Sequence, residues 1–127
     1  MNLEFIPDGS PDCPLIILSW SVPEKAEQLR QELRRLASSS ETTAALHSLP
    51  FIAPVEGCEL LAHVSEEDVG ARLLENSDNR FTWSLTPQSW QDVVDLLHPM
   101  TLPSSSGYQW LDETGEIEIL ISTRRSW

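Results

Sequence analysis

The chain has 127 residues, 40% of them hydrophobic and five of them tryptophan, which is enough to build one domain (residues 1–127) without metal or disulfide staples. Eight basic side chains against twenty acidic ones leave a net charge of −12. That balance disfavours direct binding to nucleic acid, which needs clustered Lys and Arg to release counterions, and the apolar content excludes a disordered chain.

In chain order, residues 3–6 read as a short edge strand, and residues 7–14, with Asp8, Gly9, Ser10, Pro11 and Asp12, as a turn-rich connection that also holds Cys13. Residues 15–20 form a nearly continuous apolar run with β-branched content, and at that length a buried strand fits better than a helix. Ser21-Val22-Pro23-Glu24 is a capping box. From it a helix extends to Ala37, with Ala26, Leu29, Leu33 and Leu36 at helical spacing and Arg34 and Arg35 where the dipole favours cations.

A serine loop at residues 38–40 follows. Residues 42–49 fit a strand by their threonines and a helix by their alanines. Pro50 and Pro54 bracket an extended segment, residues 58–64 read as a strand after Gly57, and residues 69–74 as a short one before a turn at 76–79. Residues 80–85 alternate, with Phe81, Trp83 and Leu85 on one face. Thr86 then caps a helix that has Pro87 at its first position. Trp90, Val93, Val94 and Leu97 form its apolar stripe, and His98, standing before Pro99, is its expected last residue. A hairpin of residues 108–111 and 116–121 closes around Asp112-Glu113-Thr114-Gly115.

The two helical regions echo each other. Trp20-Ser21-Val22-Pro23 is matched by Trp83-Ser84-Leu85-Thr86-Pro87, each helix precedes three serines, and Gly57 and Gly115 each open a strand. Tandem βαββ repeats over residues 14–65 and 79–123 are therefore one reading, and chance likeness of capped helices is the other. Either way the expected class is α+β, a mainly antiparallel sheet with two helices on one face.

Catalytic signatures are sparse. His47, Cys58 and His63 match no common zinc spacing, and in a strand Cys58 and His63 point to opposite faces. No nucleophile elbow or glycine-rich phosphate loop occurs, so no catalytic, cofactor or metal residue is assigned and no cofactor is expected. The residues suited to an interaction surface are Tyr108 and Trp110 on the hairpin, Glu113, Glu116 and Glu118 around its turn, and Arg124, Arg125 and Trp127 at the end of the sequence.

Fourteen acids against only Arg72 and Arg80 over residues 38–123 point to a basic protein as partner. The two cysteines lack C-x-x-C spacing, no basic region opens the chain, and no apolar run is long enough for a membrane span. The expectation is a soluble cytoplasmic protein, binding another protein without catalysis. Two other readings stay open: a ligand-binding or hydrolytic protein with its pocket between the halves, and a homo-oligomer pairing through an edge strand.

Overall fold

The computed structural model describes residues 1–7, 14–19, 23–75, 77–102 and 107–123. Among these the order is β1 (Asn2–Ile6), β2 (Leu15–Ser19), α1 (Pro23–Ala37), β3 (Thr43–Ala45), β4 (Ala53–Pro54), β5 (Glu59–Val64), β6 (Gly70–Leu73), β7 (Arg80–Leu85), α2 (Pro87–Leu97), β8 (Tyr108–Asp112) and β9 (Glu118–Ser122). The protein is α+β. Its ladders are divided between two mixed sheets, ordered β4-β1-β2-β9-β8 and β3-β5-β7-β6.

Each sheet is assembled from both halves of the chain. The β1–β2 hairpin pairs through β2 with β9, in parallel, and β9 is antiparallel to β8. Likewise the β6–β7 pair joins through β7 to β5, in parallel, and β5 is antiparallel to β3. Both sheets thus read antiparallel, parallel, antiparallel across four strands, and only the two-residue β4 lies outside the pattern, in parallel beside β1. Because of β4, β1 is not the edge strand that its length and position imply.

Burial follows the side-chain period. On β7, Phe81, Trp83 and Leu85 are buried while Thr82 and Ser84 are partly exposed, so the second sheet covers one face and wets the other. β2 differs, since all five of its residues are buried. Ile16 and Leu18 join the main core with Leu3, Ile119 and Ile121, whereas Leu15 and Ile17 form a small cluster with Leu120 on the opposite face. A strand covered on both sides reads as the unbroken apolar run seen at residues 15–18.

Both helices contribute to the same core, α1 through Ala26, Leu29, Leu33 and Leu36, and α2 through Trp90, Val93, Val94 and Leu97. The capping serine foreseen for α1 lies outside the described residues. α2 begins as expected, with Ser89 N–H donating to the Thr86 hydroxyl at 3.2 Å. It does not simply stop at His98. A 3₁₀ turn, His98–Thr101, carries the chain on, because Pro99 at the start of such a turn forfeits only an N–H that has no partner there. The ambiguous segment 42–49 takes neither form throughout, being β3 and then the 3₁₀ turn Leu46–Ser48.

The sheets meet at a corner made of glycine. Ile117 N–H donates to Ala71 O at 3.2 Å, and a methyl group on Gly70 would lie 2.6 Å from Gly115 Cα. Gly70 has φ +81°, which its missing side chain makes affordable.

Candidate functional site

A groove of about 260 Å³ runs between α2 and β8, floored by Leu85, Val93, Leu96, Trp110 and Leu111 and edged by Asp92, Asp112 and Glu113. Its helical wall is held from outside. Asp68 accepts from Thr86 N–H at 2.9 Å and from the Ser89 hydroxyl at 2.7 Å, and these bonds hold its carboxyl below the usual value. With the buried stripe of α2 turned to the core, Leu96 falls on the flank and stays 37% exposed.

The strand wall carries an irregularity. Pairing runs Tyr108 with Ser122, Gln109 with Ile121 and Trp110 with Leu120, then shifts between Trp110 and Asp112. At that irregularity consecutive residues Leu111 and Asp112 are both buried, where a regular strand would send one of them out to solvent. Asp112 is then satisfied twice, by Trp83 Nε1–H at 2.7 Å and by Thr114 N–H at 2.9 Å. This correction matters for the site. The sequence places Asp112 in the turn beside Glu113, Glu116 and Glu118, but its carboxylate is an internal acceptor. The available signal is Trp83 itself, since a buried indole N–H requires an acceptor somewhere.

Of the interaction residues expected from the sequence, Tyr108 is 54% exposed, Trp110 is half-buried with its ring 6.5 Å from that of Tyr108, and Glu113 and Glu116 are exposed. The Glu113 carboxyl is raised above its ordinary value by desolvation, by the Glu118 side chain bonded to it, and by the charges of Glu118 and Asp112. Tyr108, Trp110, Glu113 and Glu118 therefore belong to one hairpin surface beside the groove. Arg124, Arg125 and Trp127 lie outside the described residues.

The histidines and cysteine are spread apart. His47 Nδ1 accepts Leu60 N–H at 3.1 Å, and its Nε2 faces Glu59 Oε1 at 3.6 Å, which in turn is 3.7 Å from Arg80 Nε. That trio fastens the first 3₁₀ turn to β5 and β7. Cys58 is buried and carries a thiol pushed up to about 11 by burial, then by Glu4 and Glu59. It borders a second cleft, about 360 Å³, with Glu4, Phe5 and Asn79, while a third, about 440 Å³, opens beside Gln28, Gln31 and Phe51. None of the three clefts is lined by a histidine. Among the described residues no three His, Cys, Asp or Glu side chains converge as a metal site would require, and no helix is long and apolar enough to cross a membrane.

Comparison with protein families, curated proteins and solved structures returns no match to this chain.

Proposed function

We propose that this chain is a non-enzymatic protein-binding module that recognises a basic partner through the β8–β9 hairpin and the adjoining flank of α2. The observation that carries this reading is the crowding of Glu118 against Glu113, which edges the groove lined by exposed Leu96 and half-buried Trp110. A neighbouring carboxylate that raises the proton affinity of Glu113 contributes to a field that a cation relieves, and apolar side chains left beside it supply contact area. Exposed like charges alone would serve solubility. Placed around a groove of mixed polar and apolar lining, they also select the sign of whatever fills it.

The cytoplasm is the compartment we assign, supported by the free, buried Cys58 thiol. We further propose that residues 14–65 and 79–123 are related by duplication, which the matching strand orders of the two sheets support.

Affinity capture from lysate of the source organism at low and moderate salt tests the functional reading. A basic protein retained at low salt, weakened at moderate salt and lost on Glu113→Gln, Glu116→Gln and Glu118→Gln together is the expected result. Retention of nothing at either salt refutes it.

A further inference from the structure

We infer that the groove between α2 and β8 is the docking slot for a basic segment of a partner protein, seating one large apolar side chain against Leu96 and Trp110 with flanking Lys or Arg side chains on Asp92, Glu113 and Glu118. The inference rests on the reading of the chain as a protein-binding module and adds the place and the partner's chemistry.

The first argument is size. A groove of about 260 Å³ is smaller than the roughly 300–1,000 Å³ that encloses a typical small ligand, yet it has room for one large side chain. Its apolar contact comes chiefly from Leu96, which is 37% exposed, and half-buried Trp110, with buried Leu85, Val93 and Leu111 behind a lining whose open surface is more polar than apolar. An occupant of this slot leaves most of its own bulk outside, over the rim.

The second argument is charge. No Lys or Arg lines the groove, and its ionisable edge consists of Asp92, Asp112 and Glu113. Asp112 is engaged by the neutral donors Trp83 and Thr114, which satisfy its lone pairs and leave its charge in place. Glu118 stands against Glu113. A segment carrying cations on both sides of its apolar anchor complements that rim. Two-fold pairing of this groove with itself would set the rim against its own like charges, so the rim disfavours a second copy as the occupant.

The test uses a labelled twelve-residue peptide with a central Trp flanked by lysines, followed by fluorescence anisotropy at low salt. Replacing the anchor with Ala, or making Leu96→Asp or Glu113→Lys in the full chain, is expected to weaken binding at least tenfold. Glu75→Lys changes the net charge equally at the exposed β6–β7 turn, at the opposite end of β7 from Leu85, and is expected to shift binding less than twofold. Both groove variants alter exposed side chains, so circular dichroism should show an unchanged fold. Equal weakening by Glu75→Lys and Glu113→Lys, or indifference to the anchor, would overturn the docking slot in favour of diffuse charge attraction. Capture from lysate separates the two levels. Partners kept by wild type and by Leu96→Asp alike sink the groove and leave the binding module standing, whereas a wild-type chain that retains nothing sinks the module itself.

Discussion

Trp83 Nε1 donates to Asp112 Oδ2 at 2.7 Å, joining β7 in one sheet to β8 in the other inside the core. The bond crosses between sheets, and a buried carboxylate that loses a donor keeps its desolvation cost. Trp83→Phe is expected to destabilise by about 3 kcal/mol, combining that cost with the loss of an edge-on contact to Trp90 at 4.7 Å. Asp112→Asn keeps an acceptor and should cost about 1 kcal/mol. Urea unfolding compares them, and equal losses would mean that the bond itself contributes little.

The glycine corner makes a sharper demand. A methyl on Gly115 would sit 2.6 Å from Ala71 N, and the obstructing atoms are backbone, which cannot rotate away. Gly115→Ala should therefore cost about 3 kcal/mol or more, by overpacking that moves two strands. Gly107 is the control, because φ +104° strains a side chain there while nothing lies within 4 Å of it. Gly107→Ala is expected to cost about 1 kcal/mol from strain alone. Thermal melts of the two variants decide whether the corner or the backbone angle matters more.

Cys58 should resist alkylation in the folded protein. A thiol pushed up to about 11 holds little thiolate at pH 8, and burial hides what there is. In a Cys13→Ser background, iodoacetamide should react at least about 100-fold more slowly with folded than with urea-unfolded chain. The linkage sign follows from a raised value: the folded state holds its proton more tightly, so this contribution is intact below the ordinary thiol value of 9.0 and is lost as pH rises towards 11. Fast labelling under native conditions would show that the β5 entrance opens readily.

Asp68 links the β6 approach to the start of α2, and its depressed carboxyl value sets the opposite pH trend. The ionised form accepts both bonds, so its contribution is present above the ordinary value of 3.8 and disappears as pH falls through the lower folded value. Asp68→Ala should cost about 1 kcal/mol at neutral pH and progressively less below pH 4, read from denaturation midpoints across that range. A loss independent of pH would assign the effect to packing.

Exchange of strand pairs predicts how fragments behave. Since β2 needs β9 and β7 needs β5, fragments 1–65 and 66–127 should each be largely unfolded alone and regain sheet signal on mixing. Circular dichroism of the separate and mixed fragments measures this directly. A half that folds alone as a monomer would contradict the dependence of each sheet on both.

Much of the local structure was legible. Alternation over residues 80–85, the Thr86 cap and the i, i+3, i+4, i+7 stripe of α2 each depend on neighbours within a few residues, and all are present. The run at residues 15–18 also announced a buried strand, though not what covered its two faces. Hairpin register was harder. Trp110 opposes Leu120, because the ladder opens at Asp112 and Ile119, wider than a tight turn over residues 112–115 would set it, and then shifts by one residue before Trp110, which no alternation pattern reveals. The site was visible in part, since Tyr108, Trp110 and Glu113 share the hairpin, whereas Leu96 comes from a helix whose placement depends on packing.

The sequence by itself determined the α+β class, both helices, most strands and an acidic surface, because propensity, capping and periodicity act between residues close in the chain. Tertiary structure alone decided that two sheets form with exchanged strand pairs, that Asp112 turns inward to Trp83, and that Leu96 meets Trp110 across a groove. Those relationships join residues far apart in sequence, and their energies come from burial and shape complementarity that no short window of residues contains.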